Sequence, residues 1–266
     1  MLVDSHCHIH FSQFFGKVSE IVGNMLSSGV IHALCVSVDL EDYSVLLETI
    51  DPFPSLSASF GIHPNHDGNF DGEMLSEEEL FLRAQMSDRV VAIGETGLDY
   101  CRVQNDEQVK FQQELFRRHI RVAKQLGKPL IIHCRQAGDD VIRILVEEGA
   151  DRVGGVMHCC TESLSFVEKA MDISFYISYS GIVTFKNAQD VQSVAKMVPM
   201  SRLLVETDSP YLSPVPFRGS TNQPAYVLHV ADKIAKLKDI PVEDVHDATT
   251  ANFFRLFPLS APRTQK

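Results

Sequence analysis

Short apolar or β-branched runs alternate with longer amphipathic stretches along the whole chain. Runs at residues 2–5, 33–38, 57–62, 90–94, 129–133, 155–158, 175–179 and 203–206 read as strands: each is rich in apolar residues and too short for a helix. The stretches between them are helix-sized. The clearest helix lies over Asp106–Leu126. Asn105 can cap it, and Asp106 and Glu107 suit its positive N-terminal end. Phe111, Leu115, Val122 and Leu126 fall on one stripe at 3.6 residues per turn, and Gly127 followed by Pro129 stops the helix. Eight strands, each followed by a helix or room for one, predict an α/β fold: a (β/α)8 TIM barrel in one domain over residues 1–260, with 261–266 as a C-terminal tail. A doubly wound open sheet is the alternative, but no Gly-rich turn follows the first strand. No linker or short internal repeat is visible.

Composition narrows the class. With 266 residues, 44% of them hydrophobic, the chain can bury a large core. The net charge of −11 argues against a broadly basic nucleic-acid surface, though not against a local basic rim. "MLVDSHCHIH" has neither the basic nor the apolar part of an export signal, and no apolar run is long enough to span a bilayer. A soluble, cytoplasmic protein with no membrane partner is therefore expected, and its six cysteines should be reduced thiols. No CxxC pair is present, so a thiolate zinc site is not expected.

The polar residues change the picture, because they fall at strand ends. His6 and His8 follow the first strand, His63 the third. Glu95 ends the fourth, His133 the fifth, His158 the sixth, and Glu206 and Asp208 the eighth. In a barrel these ends meet at one mouth, where such folds keep their chemistry. Imidazoles and carboxylates are ligands for divalent metals. His6, His8, Glu95, His133, His158 and Asp208 are enough for two ions sharing one carboxylate. His10 is expected in the loop and not a ligand, and His66 solvated. His63, before Pro64, is either a substrate contact or a loop-packing residue. Glu206 is expected to support a ligand or the structure. Cys7, Cys134 and Cys159 each adjoin a proposed ligand, so in a strand they face the other way and read as packing residues. Arg135, Lys186 and Arg218 lie on loops where they either hold phosphate oxygens or pair with a carboxylate. Tyr100 and Tyr211 either stack on a base or pack the loops.

An ordered set of motifs then becomes specific: "DSHCHIH", "GIHPNH", "GETGLDY", "IIHCRQAGDD", "MHCCTES", "YISYSGIVTFKNAQ", "LLVETDSPYL" and "PVPFRGSTNQPAY". The chain resembles the TatD family of metal-dependent deoxyribonucleases, within the amidohydrolase-like barrels, over nearly its whole length. It departs from the family's usual residues at Cys160, Glu162, Phe217, Ser220 and Gln223, none of them a proposed ligand. The resemblance implies a two-metal phosphodiesterase acting on DNA, exonucleolytic on single strands. It places His6, His8 and Asp208 on one ion and His133 and His158 on the other, with Glu95 bridging. Two such cations can activate a water and stabilise both oxygens of an in-line displacement. Asp208 is the candidate to orient or deprotonate that water. The imidazole-rich set favours zinc or manganese, whereas the family is usually assayed with magnesium. An amidohydrolase-like enzyme for a small amide, ester or phosphoester is the alternative function. The sequence leaves oligomeric state, strand polarity and native metal open.

Overall fold

The computed structural model describes residues 1–65 and 74–260; His66 and the tail at 261–266 lie outside them. Eight parallel strands follow one another in sequence order: β1 (Leu2–Cys7), β2 (Val30–Cys35), β3 (Leu56–Phe60), β4 (Val90–Asp99), β5 (Leu130–Arg135), β6 (Gly155–Met157), β7 (Phe175–Tyr179) and β8 (Leu203–Val205). Backbone bonds from Asp208 N to His6 O (2.9 Å) and from His8 N to Ser209 O (2.7 Å) join the last strand's exit to the first and close the ring. The helices are α1 (Val18–Ser27), α2 (Leu40–Ile50), α3 (Glu77–Ala84), α4 (Asp106–Leu126), α5 (Gly138–Glu147), α6 (Leu164–Asp172), α7 (Gln189–Met197), α8 (Val227–Lys238) and α9 (Val242–Leu256). None among the described residues is long and apolar enough to cross a membrane.

The expected helix α4 keeps its expected ends. Asn105 accepts from Gln108 N, and Gly127 adopts φ 61° to terminate it. Its buried face is wider than the sequence stripe and includes Phe116, His119, Ile120 and Ala123. His119 is a satisfied core residue, with Nδ1 on the Leu115 carbonyl and Nε2 accepting from Ile62 N.

Alternation along the strands sorts two apolar layers. Leu130, Met157, Ile177 and Val205 pack outward against the helices. Ile131, Val156, Tyr176 and Leu204 join Phe253, Leu256 and Phe257 from the last helix in a second cluster. Two residues further along the same face come His133, His158, Ser178 and Glu206. One face of the sheet thus carries an apolar layer below and a polar layer above.

The fourth strand is where sequence and structure differ most. It was expected to end at residue 94 but runs on to Asp99. The cause is a bulge: its register with β5 shifts between Ile93 and Thr96, so Glu95 sits inside the irregularity. Gly94 (φ 143°) and Gly97 (φ 139°) make this possible. A Cβ on Gly94 would lie 2.5 Å from Ile131 O, and one on Gly97 2.0 Å from His133 O.

Candidate metal centre at the barrel mouth

The polar layer converges on Glu95, which is 3% exposed. Its Oε2 lies 3.4 Å from His6 Nε2 and 3.9 Å from His8 Nε2. Its Oε1 lies 2.9 Å from His158 Nε2, 3.1 Å from His133 Nδ1 and 3.4 Å from His63 Nε2. Asp208 Oδ1 completes the first side, 3.4 Å from His8 Nε2 and 3.6 Å from His6 Nε2. All six expected ligands are therefore brought together, from five strand exits. Donor triads with metal-holding geometry are His6–His8–Asp208, His6–Glu95–His158 and His63–Glu95–His133.

Hydrogen bonds on the far side of three of the four rings decide which nitrogen faces inward. His8 Nδ1 is 2.8 Å from the Val36 carbonyl, which can only accept, so Nδ1 carries the hydrogen. The neutral ring then turns a bare Nε2 toward His6 Nε2, 3.2 Å away. His158 Nδ1 donates to Glu206 Oε1 (3.3 Å), leaving a bare Nε2 against Glu95. His133 Nε2 donates to Asp99 Oδ2 (3.2 Å), leaving a bare Nδ1 against Glu95 and 3.4 Å from His158 Nε2. Lone pairs packed against lone pairs and a carboxylate repel unless protons or cations sit among them. The donor set fits a divalent metal, and His8, His133 and His158 have the outward partner that metal-ligating histidines use, whereas His6 Nδ1 is buried without one.

His63 is the exception. Its Nδ1 accepts from Asn65 N (3.0 Å), so the neutral ring presents Nε2–H, a donor, to Glu95. Burial holds its pKa at about 3, which keeps it neutral. The other groups are tuned against their burial. Desolvation pushes His8, His133 and His158 down, but Asp208, Asp99, Glu95 and Glu206 outweigh it and raise all three. Burial and the His158 charge lower His6. Burial would raise Glu95 and Asp208, yet the surrounding imidazoles hold both below the usual carboxylate range.

Two carboxylates, Asp4 and Asp99, escaped the sequence reading. Asp4 is fully buried and spans the closure of the barrel, accepting from Thr207 N (2.9 Å), Thr207 Oγ1 (2.6 Å) and His6 N (3.3 Å). Burial nonetheless pushes its pKa up to about 8. Its signal was period two: positions 4, 6 and 8 alternate. Asp99 shares that logic with Glu95, but only once the strand is known to continue. Glu206 has the supporting place expected of it, behind His158.

The remaining expectations divide. A cleft of about 680 Å³ opens over the centre; Arg135, His63 and Tyr211 line it, as does Arg102, which the sequence reading passed over. Lys186 and Arg218 are exposed on the neighbouring loops and are not among its lining residues; the Arg218 guanidinium sits 3.6 Å over the Phe185 ring. The Tyr100 hydroxyl bonds Asp140 (2.8 Å), a loop-packing role. Cys7 packs as expected against Cys35. Cys134 packs against the core as expected, at the border of the cleft, whereas Cys159 does not follow and lines the cleft. Cys159 lies past its strand at φ 45°, so strand alternation no longer directs it. His10 is buried rather than solvent-facing, and its Nε2 pairs with Asp42. Replacing His10 with Ala is expected to leave metal content and turnover intact. It should lower stability by about 1–3 kcal/mol in urea unfolding, because Asp42 loses a buried partner. Loss of metal would overturn this placement.

A barrel whose strand exits gather imidazoles around a shared glutamate has the build of a metal-dependent hydrolase. The chain belongs to the TatD family: the family model described as "TatD related DNase" matches residues 3–258. It is 42% identical over 268 residues to the metal-dependent hydrolase YcfH of Escherichia coli (strain K12), covering 99% of this chain and 98% of that one. It is 40% identical over 262 residues to the metal-dependent hydrolase YabD of Bacillus subtilis (strain 168), covering 98% and 100%. The crystal structure of YJJV, a TatD homologue from Escherichia coli K12, superposes with a TM-score of 0.88 at 27% identity, covering 98% of each chain. The protein is a metal-dependent hydrolase of this family. An organophosphorus hydrolase variant from Deinococcus radiodurans, at 18% identity and a TM-score of 0.66, shares the fold.

Proposed function

We propose that the chain hydrolyses phosphodiester bonds at the end of single-stranded DNA, using two divalent cations that share Glu95. The observation that carries this reading is the division of donors across one carboxylate: Oε2 faces His6 and His8, Oε1 faces His133 and His158. His6, His8 and Asp208 would hold one ion and His133 and His158 the other. The imidazole-rich set suits zinc or manganese, and the carboxylates also admit magnesium. Bound there, the ions supply Lewis acidity toward a phosphate oxygen and make an attacking water acidic.

The chain's own residues do the rest. The Val36 carbonyl, Asp99 and Glu206 fix three ring tautomers so that no reorganisation is needed on binding. Asp208 is the most open carboxylate of the set, its side chain 16% exposed against 4% for Glu95 and 0% for Glu206. It faces the cleft as an ionised, weak base, matched to a proton that is already acidic. His63 donates to Glu95, and Arg135 stands over the centre as the phosphate contact. The DNase description of the matching family supports DNA as the substrate.

The test strips the protein with chelator, reloads it with magnesium, manganese or zinc, and compares short labelled single strands, closed circular duplex and a panel of small esters and amides. Metal-dependent cleavage of the single strands, faster than of the circle, is expected. An acidic protein holding two or three phosphates should show a shallow salt slope, about 0.7 per contact. No nucleic-acid cleavage beside brisk ester or amide hydrolysis would transfer the protein to the amidohydrolase alternative.

A further inference from the structure

We infer that the cleft has two walls of different chemistry that orient a strand end: an aromatic wall for the terminal base and an arginine wall for the adjoining phosphate. The inference rests on the phosphodiesterase reading above and names how that substrate lies. Phe11, between β1 and α1, and Tyr211, beyond β8, line one side. Arg135, the last residue of β5, and Arg102, three residues past the end of β4, line the other. In an eight-stranded ring closed between β8 and β1, the β4–β5 pair lies diametrically opposite. Glu95 and its donors occupy the space between.

The aromatic wall is preorganised. Phe11 stacks on His8 with centroids 4.6 Å apart and planes 13° apart, and meets the Tyr211 ring at 6.2 Å and 68°. Tyr211 is 50% exposed, yet its backbone is fixed: its N donates to Asp208 O (3.0 Å), and its O accepts from Asn222 Nδ2 (2.6 Å). The two rings thus meet edge to face at the cleft, and the exposed Tyr211 is the one open to stacking with a base. On the opposite wall, both arginines are exposed and have no ion-pair partner among the described residues. Asp99, which ends β4 beside them, is already engaged by His133 Nε2, Asn65 Nδ2 and Cys101 N. Their charge remains available to a phosphate, which a guanidinium holds in bidentate fashion.

The experiment uses the metal-loaded full chain and oligodeoxynucleotides that differ only in a terminal thymine or its non-planar 5,6-dihydro form, placed at the 5′ or the 3′ end. Wild type should favour the planar base about tenfold in kcat/KM at one end, the size of a single base–aromatic stack. Tyr211→Leu should bring that ratio to about one, and Tyr211→Phe should preserve it. Arg102→Gln and Arg135→Gln should raise KM on both strands equally and flatten the salt slope. Their effect should vanish when the adjoining phosphate is a neutral methylphosphonate. A ratio near one in wild type at both ends, or a ratio that survives in Tyr211→Leu, overturns the aromatic wall. An arginine effect that persists on the methylphosphonate overturns the other. Wild type that cuts no strand yet hydrolyses small esters removes the phosphodiesterase reading itself, and this inference with it. Strands cut without any dependence on Tyr211, Arg102 or Arg135 remove only the inference.

Discussion

Glu95→Gln is expected to reduce metal content on both sides of the centre and to lower turnover by about 10³-fold or more, the several kcal/mol that bound cations supply to such a displacement. The two carboxylate oxygens serve different partners, Oε2 toward His6 and His8 and Oε1 toward His133 and His158. An amide offers one oxygen and one NH2. If the NH2 faces His133 and His158, it donates to their bare nitrogens and satisfies them without a cation. If it faces His6 and His8, it does the same there. Either rotamer closes one half, and the lost charge weakens the other. The variant should remain folded, since Gln keeps the size and shape of Glu at this position. Metal stoichiometry, with thermal unfolding in the presence and absence of chelator, checks this: wild type should gain stability from metal and the variant should not. One ion in wild type, fully retained in the variant, would end the shared-carboxylate model. Protons compete for the same site. Burial lowers His8, His133 and His158, but the carboxylates outweigh it and raise all three from the ordinary imidazole value of 6.5, which strengthens their hold on a proton in competition with metal. Metal uptake should therefore release protons, and affinity should climb as the pH rises above that value.

The candidate ligands were legible because the fold forces them into one register of the sequence. A parallel barrel collects all its strand exits at one mouth, so an imidazole or carboxylate at the end of each apolar run is visible without coordinates. The period-two pair His6 and His8 showed which face it shares. What surrounds the ligands was harder to see. Asp99 lies on the continuation of a strand that apolar content alone ends at Gly94; a bulge and two glycines in close approach carry it further, and nothing in the residue pattern announces a register shift. Asp4 sits in the first strand of the sequence pattern without an assigned role, and its partner Thr207 is brought onto it only by barrel closure from 203 residues away. Cys159 departs from its expected packing role because alternation holds only within a strand, and it lies just beyond one. Arg102 and Arg135 line the cleft while Lys186 and Arg218 do not. That selection is made by loop geometry, which leaves no periodic trace.

Asp208→Asn should lower turnover by about 10²–10⁴-fold, the range for a positioned general base, while single-stranded DNA still binds. The substitution is conservative where structure is concerned. Asp208 sits at φ 56°, a left-handed conformation that Asn tolerates as well as Asp does. Its backbone bond from N to His6 O (2.9 Å) does not involve the side chain. What changes is a single oxygen's charge, facing His8 Nε2 at 3.4 Å and His6 Nε2 at 3.6 Å, at the most open point of the donor set. Two losses follow, and they separate experimentally. The His6–His8 side binds metal more weakly, which excess cation should restore. The carboxylate that accepts a proton from water is gone, which no amount of cation restores. Glu95→Gln differs, because it weakens both sides. The phosphate contacts lie on the opposite wall, and Tyr211 is tied to Asp208 through a backbone bond that the substitution leaves in place, so the affinity for the strand is kept. Turnover measured against metal concentration therefore decides the matter: a plateau far below wild type assigns Asp208 to the chemistry. A plateau that reaches the wild-type rate at saturating metal would reduce Asp208 to a ligand and leave the proton to some other acceptor.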